Sequence, residues 1–171
     1  MHGGNGIEAE TKGALKEVLF VCTGNVFRSL AAEYALRRLR PDLAVASAGT
    51  SKRDGVVPPE IADYLLTKGV DVRAHRRRTL TREILERAHV AVAMSTDHRD
   101  FIRANFGRSV PLFLECCGDA PEGLLDLHEA ISDFRTDRVA ALSYLQRTID
   151  RIVDGMPRLA RRIDLLLSRP S

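Results

Sequence analysis

Residues 18–33 read VLFVCTGNVFRSLAAE, and the fold turns on how that stretch divides. Val18-Leu19-Phe20-Val21 is a short continuous apolar run, the pattern of a strand covered on both faces. From Ser29 to Arg40, Leu30, Ala31, Tyr34, Ala35 and Leu39 recur at helical spacing. Pro41-Asp42 closes that helix, because a proline disfavours helical geometry in the residue before it. Between strand and helix lie Cys22, Thr23, Gly24, Asn25, Val26, Phe27 and Arg28. A cysteine thus stands where a strand ends, with an arginine and a serine at the mouth of the next helix.

The alternation continues outward. Leu43–Ser47 predicts a second strand, Val90–Met94 a third and Val110–Leu114 a fourth. Helices are predicted from Pro59 to Lys68, stopped by Gly69, and from Thr81 as N-cap through TREILERA. Another runs from Ser95 or Thr96 to Phe106, stopped by Gly107. From about Arg135, Leu142, Leu145, Ile149, Ile152, Met156, Leu159 and Ile163 keep one apolar face across Gly155 and Pro157. That pattern predicts a kinked helix or two stacked ones. Residues 51–59 and 115–134 read as loops. Strands alternating with helices predict an α/β class: a single-domain, doubly wound, four-stranded parallel sheet flanked by helices. Ligands in such sheets bind at the carboxyl ends of the strands, which is where Cys22 falls.

At 171 residues the chain suits one domain, expected over 16–168. Gly3, Gly4, Gly6 and Gly13 mark 1–15 as a flexible leader, and Glu8 and Glu10 rule it out as a signal peptide. No apolar run is long enough for a membrane span, so no membrane partner is expected. Three cysteines without disulfide-type spacing fit a reducing cytoplasm. The net charge is +3, yet aromatics make up only 5%, Trp is absent and the basic residues are dispersed. No nucleic-acid partner is expected on that footprint.

The Cys22–Ser29 loop is built for an anion. Successive backbone N–H groups can curl into a nest, and Gly24 and Asn25 tolerate the positive φ this needs. The following helix brings its positive end, and Arg28 adds a fork for two oxygens of a tetrahedral oxyanion. Phosphate, arsenate and sulfate all fit that description. A cysteine beside a helix N-terminus and a guanidinium favours its thiolate, so Cys22 is poised to attack a bound phosphoryl group. Ser29 can donate a hydrogen bond to it.

The stretch resembles the phosphate-binding loop of low-molecular-weight protein tyrosine phosphatases, Cys-x5-Arg-Ser near the N-terminus. Similar segments follow in order: Ser47-Ala48-Gly49-Thr50, Gly69-Val70-Asp71 with His75-Arg76-Arg77-Arg78-Thr79-Leu80, Ala93-Met94-Ser95 and Phe106-Gly107. The resemblance covers roughly residues 16–165. It implies a flavodoxin-like strand order of 2-1-3-4 and a metal-independent phosphatase with no cofactor. Cys22 would form a phosphocysteine, and the N–H groups of 23–28 with Arg28 would bind the equatorial oxygens. Asn25 would hold the loop through Ser47, Ser29 would steady the thiolate, and His75 would tie loops together. The implied partners are a phosphorylated protein or small phosphomonoester, with the chain a monomer or weak dimer.

This chain departs from the family in places. The usual Asp-Pro before the last helix is missing, and Asp133, Asp126 and Asp137 are candidates for the general acid. Asp133 is the expected acid from its position before the helix and its spacing to Tyr144, with Asp126 the alternative. Phe27 stands where many relatives carry a second cysteine, and Leu30 replaces a proline. Val26 and Phe27 are expected to form an apolar rim, while the loop from Ser51 to Val57 lacks the wall aromatic of phosphotyrosine enzymes. Lys52, Arg53 and Arg76-Arg77-Arg78 read as solvated charges. Three further functions remain open. A thiol-coupled arsenate reductase would recruit Cys116-Cys117, but Met94 occupies the place of a needed cysteine and the pair reads as packing. A phosphoarginine phosphatase is weakened by Val26. A weakly active phosphoprotein-binding domain would explain the missing Asp-Pro.

Overall fold

A computed structural model describes residues 13–169. The expected leader at 1–15 lies mostly outside that span, and Gly13–Lys16 are exposed and irregular. β1 (Glu17–Cys22) is followed by α1 (Arg28–Leu39), β2 (Ala44–Gly49), α2 (Pro59–Thr67) and α3 (Arg82–Arg87). Then come β3 (Val90–Ala93), α4 (Thr96–Phe106), α5 (Phe113–Cys117), α6 (Leu127–Ala130) and α7 (Arg138–Leu167).

β1 is the centre of a parallel sheet ordered β2-β1-β3. Glu17–Cys22 pair with Ala44–Gly49 on one side, and Val18–Val21 with Val90–Ala93 on the other. Its side chains alternate between two cores. Val18, Phe20 and Cys22 join a core with Leu30, Leu36, Ile149 and Ile152, from α1 and α7. Leu19 and Val21 join a second core with Leu85 of α3 and Ile102 of α4. Helices therefore cover both faces, and the unbroken apolar run of β1 is what such double burial requires.

The expected fourth strand, Val110–Leu114, is reduced to a single parallel bridge between Ala93 and Leu112. Pro111 has no N–H to give a ladder, and only its carbonyl takes part, accepting from Ala93 N–H at 2.9 Å. The next amide, Leu112 N–H, goes to the Glu115 carboxylate at 2.6 Å as the cap of α5. The chain turns into a helix there instead of extending the sheet.

Helix ends follow the sequence closely. Thr81 and Ser95 cap α3 and α4, Pro59 opens α2, and Gly69 and Gly107 take positive φ of 73° and 72° just beyond their helices. α7 runs for 30 residues with Pro157 inside it, so of the two expectations, a kinked helix or two stacked ones, it is the single helix that forms. Its buried stripe includes Ile149, Ile152, Met156, Leu159 and Ile163, and packing on that stripe outweighs the backbone bond the proline cannot make. No described helix is long and apolar enough to cross a membrane.

The carboxyl ends of β1 and β2 lie side by side, with Cys22 opposite Gly49. Thr50 N–H donates to Cys22 O at 2.9 Å and Ser51 N–H to Thr23 O at 3.0 Å, so the loop after β2 pins the loop after β1. A Cβ on Gly49 would stand 2.6 Å from Thr23 O and 3.1 Å from Asn25 N. Gly49→Ala should cost about 2–3 kcal/mol of unfolding free energy, since backbone on both sides must move. Gly13→Ala, which meets nothing within 4 Å, is the control for urea denaturation. Equal midpoints for the two variants would show that the contact yields freely.

Candidate active site

The loop from Cys22 to Arg28 is shaped by Asn25, the one non-glycine residue with positive φ, at 55°, among those described. Asparagine adopts this geometry when its side chain finds local partners. Asn25 Nδ2 donates to Ser47 Oγ at 2.7 Å and to Ser29 Oγ at 3.0 Å. Asn25 Oδ1 accepts from Arg78 N–H at 2.9 Å, and Asn25 O accepts from His75 Nε2 at 2.9 Å. Burial lowers the His75 pKa, so the ring is neutral near pH 7 and carries its proton on Nε2. Arg77 adds a clamp, donating to Gly24 O at 2.8 Å and also to Ser51 O.

Ser47 Oγ donates to the buried Glu33 carboxylate, which also meets Arg37 at 2.5 Å. Ser47 therefore accepts from Asn25, and Ser29, also accepting from Asn25, has its own proton available for Cys22 Sγ, 2.9 Å away. Asn25 N–H donates to the same sulfur at 3.3 Å. Two hydrogen bonds thus converge on Cys22. Phe27, at the N-cap of α1, supplies no side-chain cap, so the first turn of this 12-residue helix keeps its N–H groups for another acceptor.

Arg28 is 1% exposed. Its Nη1 donates to Leu124 O at 2.6 Å, and its Nη2 lies 3.0 Å from Asp126 Oδ2 and 3.4 Å from Thr23 Oγ1. Its Nε is buried without a hydrogen-bond partner. A buried guanidinium N–H is costly to leave unpaired, and an oxyanion oxygen is the acceptor that suits it.

His98, to which the sequence assigns no role, joins the same site. Its Nδ1 accepts from Ser95 N–H at 3.1 Å, which places the proton on Nε2, and Nε2 donates to Thr23 Oγ1 at 2.8 Å. Burial, and then the Arg28 charge, push its pKa down to about 3. The signal in the sequence was local: Ser95 and His98 have the spacing of a capping box.

A family model for low molecular weight phosphotyrosine protein phosphatases matches residues 17–165. The chain belongs to that family. It is 35% identical over 88 residues to the low molecular weight protein-tyrosine-phosphatase Ptp of Acinetobacter johnsonii, covering 51% of this chain and 62% of the relative. It is 32% identical over 97 residues to the protein-arginine-phosphatase of Bacillus subtilis, covering 54% of this chain and 64% of the relative. The chain thus spans somewhat less than two thirds of the length of these curated relatives. A solved structure of a YwlE mutant from Bacillus subtilis superposes with a TM-score of 0.72 at 27% identity, covering 87% of this chain and 99% of that one.

Within this phosphatase fold the two candidate acids part company. Asp133 is exposed in a turn, where its carbonyl accepts from Thr136 and Asp137 amides, and it makes no contact with Arg28. Asp126 caps α6 through Oδ1, which accepts from Leu127 N–H at 2.8 Å, and turns Oδ2 to Arg28. Asp126 therefore stands at Arg28, while α6 lies between it and Asp133 in the chain and leaves Asp133 exposed. The segment bearing Asp126 is strapped down: Leu124 N–H donates to Met94 O at 2.8 Å, and Tyr144 Oη donates to Leu125 O at 2.7 Å. Asp137, the third candidate, caps α7.

Two other expectations change. Phe27 is 6% exposed and packs into the core, so only half-buried Val26 is left for an apolar rim. Arg77 and Arg78 are partly buried and hold the loop rather than standing in solvent. Cys116 and Cys117 are buried in α5, where burial pushes their thiols up to about 12 and 11. Cys117 Sγ bonds to Gly155 O at 3.4 Å across the α5–α7 contact, a packing role.

His98 also sets a pH response. Its folded pKa of about 3 lies below the ordinary 6.5, so the unfolded chain binds the proton first as pH falls. Stability from this group is complete above pH 6.5 and declines toward the folded pKa, at up to about 1.4 kcal/mol per pH unit. Between pH 6.5 and 5, His98→Gln should lose about 2 kcal/mol less than wild type in urea unfolding. Parallel losses in the two proteins would contradict the buried neutral imidazole.

Proposed function

We propose that this chain is a cysteine-dependent phosphatase acting on phosphomonoesters of phosphotyrosine type through a phosphocysteine. The observation that carries the reading is the Cys22 sulfur held by Ser29 and Asn25, inside a loop whose arginine carries Asp126. Cys22 Sγ attacks phosphorus in line with the leaving oxygen. Loop amides of 23–28 and Arg28 take the equatorial oxygens, as positioning and charge stabilisation demand in phosphoryl transfer. Asp126 protonates the leaving oxygen as the P–O bond breaks. Its carboxylate then accepts a proton from the water that attacks the phosphocysteine. Ser29 O–H stabilises the departing thiolate, and Cys22 is regenerated with release of inorganic phosphate. His75, Ser47 and Glu33 act one step back, by fixing Asn25.

Half-buried Val26 supports an aromatic leaving group against the loop. The similarity to a protein-arginine-phosphatase makes phosphoarginine the natural comparison substrate. The buried, proton-bearing thiols of Cys116 and Cys117 favour hydrolysis over a disulfide relay to arsenate. Three free, buried cysteines accord with a reducing, cytoplasmic setting.

The test is turnover of p-nitrophenyl phosphate and phenyl phosphate with EDTA present. Cys22→Ser should abolish turnover. Asp126→Asn should lower kcat on phenyl phosphate roughly 10²-fold or more, and less on the better leaving group. Asp133→Asn should stay within about twofold, as expected of a solvated surface charge. A large loss in Asp133→Asn with Asp126→Asn unaffected would transfer the acid role. Phosphotyrosine and phosphoarginine peptides, compared by kcat/KM, choose the substrate.

A further inference from the structure

A cavity of about 470 Å³ adjoins the phosphate loop, sharing Val26 with it. Val57 and Val72 supply apolar wall, and Arg73, Arg76 and Arg77 supply charge. No acidic side chain lines it. Several arginines elsewhere on the surface are ion-paired, although among the described residues Arg147 and Arg161, both exposed, are not. Arg40 meets Asp42 and Asp164, Arg138 meets Glu60, Arg151 meets Glu122 and Arg158 meets Asp119. Beside the loop, Arg76 and Arg77 donate only to backbone carbonyls and the Thr79 hydroxyl, and among the described residues neither is ion-paired. Only Arg73 has a carboxylate, that of exposed Asp71. Lys52 and Arg53, exposed on the loop that carries Gly55 and Val57 into the wall, make no ion pair among the described residues either. His75, also in the wall, is neutral near pH 7, so the field comes from guanidinium and ammonium groups that hold their charge across the working range.

Four cations, Lys52, Arg53, Arg76 and Arg77, thus stand next to the phosphate site without an ion-pair partner among the described residues. Exposed Asp54, on the loop of Lys52 and Arg53, sets one carboxylate against them, and Arg73 is paired with Asp71. The excess of positive charge raises the local potential for anions. Substrate phosphate belongs in the loop itself, which leaves the cavity for what flanks it. We propose that this cavity is a specificity subsite for acidic side chains flanking the phosphorylated residue, so that the enzyme selects acidic phosphopeptides. The inference rests on the phosphatase reading and adds the class of its substrate. Arg76 is the residue that reaches the flanking carboxylates, joined by Arg73 through Nη1, since Asp71 holds its Nε and Nη2. Arg77 is committed to Gly24 and Ser51, and contributes field but not reach.

The experiment compares three phosphotyrosine peptides of one length, with Glu, Gln or Lys on both sides of the phosphotyrosine, by kcat/KM at low and high salt. The Glu peptide should exceed the Gln peptide by about three- to tenfold at low salt, the size of one or two exposed ion pairs. The Lys peptide should be poorest, and the differences should shrink in 0.5 M salt. Arg73→Gln/Arg76→Gln should remove most of the preference while p-nitrophenyl phosphate turnover stays within about twofold. Equal kcat/KM for the Glu and Gln peptides, or a preference untouched in the double variant, overturns the proposal. Loss of all turnover, p-nitrophenyl phosphate included, overturns the phosphatase reading instead. Anisotropy binding of the same peptides to Cys22→Ser then decides the subsite separately, with tighter binding of the Glu peptide expected and equal binding against it.

Discussion

The structure of the site depends on one residue in an unfavourable conformation. Asn25 turns the loop back at φ 55°, and its amide side chain and carbonyl are spent holding that turn. The bonds reach β2 through Ser47, α1 through Ser29, and the segment before α3 through His75 and Arg78. Each partner is fixed in turn by the sheet or by the buried Glu33 carboxylate. A left-handed asparagine is tolerable only when its surroundings over-determine it, and here they do. The same network sets Ser29 2.9 Å from Cys22 Sγ, so backbone shape and the surroundings of the sulfur share a cause.

The second constraint is the placement of Arg28. A guanidinium that is 1% exposed must be compensated, and the compensation comes from a segment almost a hundred residues away. Leu124 ties that segment to both ends of the site, giving its N–H to Met94 O and its carbonyl to Arg28. Gly123 allows the approach, since a Cβ there would lie 3.0 Å from Ser95 Cβ. Asp126 follows two residues later. The arginine that would grip the phosphoryl group and the carboxyl that would protonate the leaving group are thus positioned by one strap. His98, neutral and buried beside it, orients Thr23 without adding a charge that would compete.

Much of this was readable from local signals. The apolar run of β1, the helical spacing after Ser29, the Gly24-Asn25 turn and the stops at Gly69 and Gly107 are all short-range features, and the structure keeps them. Cys22, Arg28 and Ser29 stand close in sequence, so the strand–loop–helix order alone places them together. The errors lie where local and distant forces compete. Val110–Leu114 has a strand's composition, but Pro111 lacks the donor and Glu115 captures the Leu112 amide. Pro157 leaves a kinked helix and a broken one both open in the sequence, and the apolar stripe of α7 holds the helix together. Phe27 reads as a rim residue because it neighbours the loop, yet the first turn of α1 carries it into the core.

The sequence by itself determined the fold class and the strand–loop–helix that brings Cys22, Arg28 and Ser29 together, because each is encoded within one or two turns of chain. Only the tertiary structure decided which aspartate meets Arg28, that His98 belongs to the site, and that the arginines after His75 divide between clamping the loop and facing a cavity. Those outcomes join residues 50 to 100 positions apart, and packing across the carboxyl ends of the strands chooses among side chains that periodicity leaves equivalent.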